Sequence, residues 1–302
     1  MIVFSQLGHK GNLGNHMFQI AATIGIAMKK NQDFAFPDWG YAEFFKNKLP
    51  AYDTTTSFKC LKEQSFRYQD WDIIENTNYD LNGWLQTERY FNVDATKKVF
   101  EFDPTLLQKV KYNHSDLFSK KPILISVRRG DFVNHPHFFQ LSYKFYFLAL
   151  VHNFPDWKER NIVFTSDDIL YCKRHFAFIK NSFFLDDLSP IEQLALGSEC
   201  SDFIISNSTF SWWIAWLGEK EHSKIIRPTK NFRGVFAAKN DESDYFPDRW
   251  ISFDEKQFSI SNTFFSLKVK GNYLLLRDDL VHLWTVLVKQ SKRFVKRILG
   301  RK

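Results

Sequence analysis

Ile123-Leu-Ile-Ser-Val127, followed at once by Arg128-Arg-Gly-Asp131, sets the reading of this chain. The run is apolar apart from Ser126 and follows Pro122, which predicts a strand buried on both faces, as in a parallel sheet. The same grammar recurs. Ile2 to Phe4 leads into the glycine-punctuated Gly8-His-Lys-Gly-Asn-Leu-Gly-Asn15, and Met17 to Met28 then carries apolar residues at helical spacing. Asn161-Ile-Val-Phe-Thr165 stops at Ser166-Asp-Asp168, and Phe203-Ile-Ile-Ser206 stops at Asn207-Ser-Thr-Phe-Ser-Trp-Trp213. Phe34-Ala-Phe predicts a short strand closed by Pro37, and Ser189 to Glu199 a helix with Ser189 as N-cap and Glu192 at the third position. Residues 40–80 show no clear period and read as loop with short elements. Ligands of open parallel sheets bind beyond the carboxyl ends of the strands, so these polar clusters are expected to converge on one crevice. The expected fold is α/β: two Rossmann-like domains, 1–121 and 122–272, facing across a cleft, then a basic amphipathic helix over 273–302.

Composition narrows the function. A chain of 302 residues favours two domains over one core. The net charge of +7 equals the seven Lys and Arg residues of 289–302, a segment with no acid, so the other residues sum to zero. A neutral body argues against nucleic-acid binding. Cys60, Cys172 and Cys200 are far apart and lack metal-ligand spacing, which argues against a disulfide framework or structural zinc. The N-terminus lacks the pattern of a secretory signal, and no apolar run reaches the ~18 residues a span needs. The expectation is a cytoplasmic protein.

Each polar cluster has a chemical reading and a plain one. Arg128-Arg129-Gly130-Asp131 after a buried strand can grip a phosphate with paired, charge-assisted bonds. It can equally be a surface turn with an ion pair worth under about 1 kcal/mol. Gly11-Asn-Leu-Gly-Asn15 is either an ordinary strand-to-helix turn or a phosphate seat at a helix N-terminus. Asn207, Ser208, Thr209 and Ser211 offer short donors, with Trp212 and Trp213 either walling a pocket or filling the core. Asp167 and Asp168 could meet a nucleoside, bind a metal or cap the next helix.

Several separated segments also carry a resemblance. Gly11-Asn-Leu-Gly-Asn-His-Met-Phe-Gln19, Leu81-Asn-Gly-Trp-Leu-Gln-Thr-Glu-Arg-Tyr-Phe91, Ser126-Val-Arg-Arg-Gly-Asp131, Phe164-Thr-Ser-Asp-Asp168 and Ile205 to Trp213 follow one another in the order seen in the α-1,2-fucosyltransferases. The chain resembles that family, the galactoside 2-fucosyltransferases. The resemblance implies a GT-B fold, GDP-fucose as donor, a galactose-ended glycan as acceptor, inversion, and no metal or other cofactor. It implies that Arg128 binds the diphosphate and that Asn15, Ser208, Thr209 and Ser211 line the phosphates, with Arg129 and Asn207 in the same donor-binding motifs. Asp167 and Asp168 become candidates for the nucleoside end. Asp131, Glu88 and His16 are candidate bases, and Gln86 lies in a matched segment whose role stays open, as does that of Trp212. Two positions depart from the family pattern: its signature histidine is Ser126 here, and its glutamine after Gly-Asn is His16. Transfer of another GDP-deoxyhexose, and a silent glycan- or nucleotide-binding protein, are the alternative functions.

From Leu280 onward, apolar residues recur at helical spacing among lysines and arginines. Such a helix suits an anionic membrane surface, which would place the protein on the inner face of the cytoplasmic membrane; docking on the chain's own core is the alternative.

Overall fold

The computed structural model describes residues 1–52 and 55–299. In the first half, β1 (Ile2–Val3) leads through the glycine loop into α1 (Leu13–Lys29), followed by β2 (Phe34–Ala35), β3 (Lys59–Lys62), β4 (Tyr79–Asn82), α2 (Val93–Val99) and α3 (Pro104–Asn113). The second half runs β5 (Pro122–Val127), α4 (Tyr143–Asn153), β6 (Asn161–Ser166), α5 (Ile169–Phe176), β7 (Ser182–Phe184), α6 (Pro190–Ser198), β8 (Asp202–Ile205), α7 (Thr209–Gly218), β9 (Ile225–Pro228), α8 (Gly234–Lys239) and β10 (Ile251–Phe253). A last helix, α9 (Phe265–Leu299), closes the described chain.

Among the described residues the strands form two parallel sheets, in the orders β2-β1-β4-β3 and β10-β9-β8-β5-β6-β7. β5 and β8 are buried along their whole length, as unalternating apolar runs require of a sheet covered on both faces. Strand order reverses at β1/β4 in one sheet and at β5/β8 in the other. Chain segments leaving adjacent strands diverge at such points and open a crevice. Each half therefore presents one crevice, formed by the loops after β1 and β4 and by those after β5 and β8.

The halves meet through α1, buried from Leu13 to Ala27 apart from the half-buried Asn15. Gly14 lies so close to α7 that a Cβ would stand 2.6 Å from the Phe210 nitrogen, and the Trp213 indole donates to the Gly14 carbonyl at 2.9 Å. α6 shows the expected capping box, Ser189 with Glu192.

Two elements differ from expectation. β4, an interior strand of the first sheet, begins at the end of the stretch read as loop with short elements and runs past it; it is only four residues long, and just Tyr79 and Leu81 face the core. The last helix starts at Phe265, ahead of the expected 273, because Leu267 and Leu274 are buried against the second half. The side chains of Lys289, Lys292, Arg293, Phe294, Val295, Lys296, Arg297, Ile298 and Leu299, and all of Arg301 and Lys302, lie outside the described residues. No helix among the described residues is long and apolar enough to cross a membrane.

Gly25 on α1 faces the Tyr90 carbonyl so closely that no methyl fits between them. Gly25→Ala is expected to cost about 1–3 kcal/mol through overpacking, read as a lowered urea midpoint with an unchanged slope.

Candidate functional site

A cleft of about 830 Å³ lies between the two crevices. Asn12 to Asn15, Trp84 and Gln86 line it from the first half. Ser126, Arg128, Asp131, Asp167 and Asn207 to Ser211 line it from the second.

Arg128 leaves the end of β5 with its guanidinium spread between two carboxylates, Asp131 Oδ1 at 2.5 Å and Asp167 Oδ2 at 3.1 Å. Asp167 also accepts from the Arg129 backbone N–H at 2.8 Å. Gly130 is required by this clamp, since any Cβ there would run into Asp167. The Arg128 Nε is buried and has no hydrogen-bond partner among the described residues. Two helix N-termini line the same cleft, α1 from the first half and α7 from the second. The α1 N-cap, Asn12, makes no side-chain cap bond, and neither α1 nor α7 has an acid in its first turn. Open amides and aligned peptide dipoles make such ends attractive to anions. At α7, Ser208 caps Phe210 N, while Ser211 bonds to both Ser126 and Ser206 at 2.7 Å.

The first half contributes a built turn. Glu63 accepts from the backbone N–H groups of Trp84 at 2.7 Å and Leu85 at 3.0 Å, and Gly83 packs on its side chain. Leu85 is held at φ 56°, a left-handed conformation that an ordinary side chain resists. Burial pushes the Glu63 carboxyl above its usual range, and the two N–H donors and Lys10 partly oppose that. The turn presents Trp84, 40% exposed with the Lys10 ammonium 4.9 Å from its ring centre, and Gln86, which donates to Asn15 Oδ1 at 2.7 Å. Across the cleft, Phe132, Phe138, Phe232 and Phe236 build an aromatic wall, with Phe132 and Phe138 stacked 4.4 Å apart.

Not every residue singled out in the sequence reaches this cleft. Arg129 is buried with its guanidinium 4.1 Å from the Tyr171 ring centre, turned away from the donor position expected for it. Asp168 caps α5 by accepting from Tyr171 N at 3.0 Å, so the capping alternative describes it. Trp212 is core, its indole donating to the Tyr245 carbonyl at 2.9 Å. Glu88 pairs with Arg249 at 2.6 Å and accepts from the Trp216 indole at 3.1 Å, outside the cleft lining. His16 is buried: its Nδ1 accepts from the Trp39 indole at 3.2 Å, which leaves Nε2–H to donate to the Gly11 carbonyl at 3.1 Å. Burial lowers the His16 pKa, and the ring pins the glycine loop rather than meeting a substrate. Asn207 lines the cleft, but its amide is used in tying down the Phe139 and Asn231 carbonyls. Sequence reasoning missed Trp84 and the phenylalanine wall; the signal available was the load of 33 Phe. Among the described residues, no group of three or more His, Cys, Asp or Glu side chains is placed to hold a metal ion.

The profile of glycosyl transferase family 11 matches residues 5–254, which span both crevices. The chain belongs to glycosyl transferase family 11. Among relatives of this family-11 chain, the O-antigen biosynthesis glycosyltransferase WbnK of Escherichia coli is 31% identical, covering 68% of this chain and 73% of its own. An alpha-1,2-colitosyltransferase of Escherichia coli is 25% identical, covering 81% and 97%. A putative galactoside 2-alpha-L-fucosyltransferase of Caenorhabditis elegans is 23% identical, covering 86% and 80%. A solved mutant of Arabidopsis thaliana FUT1 in complex with GDP has a TM-score of 0.50 at 10% identity, covering 85% of this chain and 77% of that one. That likeness concerns the fold, which is GT-B. The protein is a glycosyltransferase of the fucosyltransferase-like kind.

The placement of His16 has a kinetic consequence. His16→Gln should leave the shape of the pH profile of transfer unchanged, because a ring outside the cleft cannot take the acceptor's proton. A lost acidic limb in the variant would return His16 to the chemistry.

Proposed function

We propose that this glycosyltransferase moves fucose from GDP-fucose to a terminal galactose, forming an α-1,2 linkage with inversion and without a metal. The galactose would end a surface polysaccharide or a lipid-linked precursor. One observation carries the reading: the Arg128 guanidinium and the N-termini of α1 and α7 line the same cleft. That arrangement answers the charge of a departing diphosphate, which must be neutralised by something preorganised. Asn15, Ser208 and Thr209 would bond to phosphate oxygens, and the phenylalanine wall would face the base. Trp84 and Gln86 would receive the acceptor sugar on the opposite side.

In the step itself, a galactose hydroxyl attacks the anomeric carbon from the face opposite GDP. The bond from that carbon to the phosphate oxygen breaks, its electron pair leaves with GDP, and the hydroxyl proton passes to a carboxylate. Asp131 is the proposed acceptor of that proton, since it lines the cleft beside Arg128 and is largely exposed. A second reading, transfer of another GDP-linked deoxyhexose, is favoured by Ser126 in place of the family histidine and by the colitosyltransferase among the relatives.

The test is transfer to a β-galactoside in EDTA with product linkage determined. An α-1,2-fucosylated product is expected, with kcat about 10²–10³-fold lower in Arg128→Ala. Product from GDP-colitose but not GDP-fucose would select the second reading. Product that requires added metal would remove metal independence. Trp84→Ala is expected to raise the acceptor KM about tenfold while leaving GDP affinity unchanged, which equilibrium GDP binding checks.

A further inference from the structure

α9 is docked on one side and apolar on the other. Leu267 and Leu274 are buried, and the Tyr143 hydroxyl, with one proton to donate, lies 3.2 Å from the Lys268 carbonyl and 3.0 Å from Asn272 Oδ1. Gly271 lets the Tyr143 ring approach the helix. These contacts fix the helix on the enzyme body with its opposite face outward.

That outward face is apolar. Phe265, Val269, Tyr273, Leu276, Leu280, Leu283, Trp284 and Leu287 are each 52–70% exposed. At about 100° per residue they fall within roughly 100° of the helix circumference, away from Leu267, Gly271 and Leu274. Val281 and Val288 lie at the edge of this stripe, where Lys270 and Arg277 also fall. In the sequence, Phe294, Val295, Ile298 and Leu299 continue the apolar spacing among Lys289, Lys292, Arg293, Lys296 and Arg297, and no acid follows Asp279. The helix runs for about 50 Å, so the apolar face is far larger than a single exposed side chain would present.

We propose that α9 seats the enzyme on an anionic phospholipid surface, lying in the interface with Leu276, Leu280, Leu283, Trp284 and Leu287 among the acyl chains, the basic composition of the 289–302 sequence favouring anionic headgroups. Two features favour lipid over a second copy of the chain. Val269, Tyr273, Leu276, Leu280, Leu283 and Leu287 do follow coiled-coil spacing, but such a seam is narrow and would leave Trp284 and Val281 uncovered. Parallel pairing would also bring two sets of seven cations together, whereas anionic headgroups neutralise them. The cleft would thereby be held within reach of a membrane-bound acceptor. The seating itself does not depend on which sugar the enzyme transfers.

Co-sedimentation of the full chain with vesicles tests this. Binding to phosphatidylcholine vesicles containing phosphatidylglycerol should exceed binding to phosphatidylcholine alone by about tenfold or more, and should weaken in high salt. The triple variant Leu280→Glu, Leu283→Glu, Leu287→Glu should lose binding about tenfold or more. Trp284→Glu provides a second, single-site version, and an unchanged thermal midpoint certifies that each is folded. Folded wild-type protein that ignores anionic vesicles, equal binding to neutral ones, or equal binding by the triple variant would overturn the proposal. So would a helix-dependent dimer in sedimentation velocity that does not bind vesicles, which would make a second copy the occupant.

Discussion

The close crossing of α1 over the start of α7 is the contact on which the rest of the molecule depends. Gly14 has no Cβ, so the backbone of one half can lie against Thr209 and Phe210 of the other. Trp213 seals the contact by donating its indole N–H to the Gly14 carbonyl, and the Phe18 ring packs against Trp212 and Trp213 at 4.5 and 5.1 Å. A helix buried almost all round belongs to the core of both halves at once. The crossing of α1 and α7 is thus held largely by apolar packing, while its polar consequence appears at the helix ends. Both N-termini are delivered to the same cleft.

Electrostatics follow from that placement. Peptide dipoles and open amides gather partial positive charge where α1 and α7 begin, and Arg128 adds a full charge from the end of β5. Left alone, a guanidinium at a switch point would sample many rotamers. Asp131 and Asp167 hold it in one place, and Gly130 allows the hold. Organisation of this kind lowers the reorganisation needed when charge develops on a leaving group. Its cost is that an arriving anion competes with two carboxylates for the same fork.

How much of this was legible in the sequence depends on whether a property is local. β5, β6 and β8 were readable because full burial writes itself as an unbroken apolar run, and the polar clusters at their ends marked the crevice. β4 was not, because four residues with two facing inward carry almost no periodic signal. Side-chain direction after a turn is set by tertiary packing. Arg128 and Arg129 are adjacent and chemically alike, yet one enters the cleft and the other lies on Tyr171. Asp167 and Asp168 divide in the same way, one clamping Arg128 and the other capping α5. The cap was at least foreshadowed, since an Asp immediately before a helix has a local use for its carboxylate. Trp212 carried a weaker hint: a buried indole needs an acceptor, and a backbone carbonyl such as that of Tyr245 is invisible in sequence.

Ser126 shows how a family departure can be absorbed by the fold. Its hydroxyl bonds to Ser211, which bonds in turn to Ser206, and Ser206 also accepts from the Ser208 backbone. The chain gives each of its hydroxyls a partner within the protein, so the cleft floor demands little polar pairing from the ligand. A site discriminates strongly between substrates when the wrong one leaves its buried polar groups unpaired, and weakly when it does not. By that argument the serine floor is tolerant. On the proposed function, selectivity would rest on groups held by fixed supports: Arg128 in its carboxylate clamp, Asn15 tied to Gln86, and the Trp84 turn held by Glu63. These supports come from both halves, so donor and acceptor selection would then be coupled through the same crossing that creates the cleft.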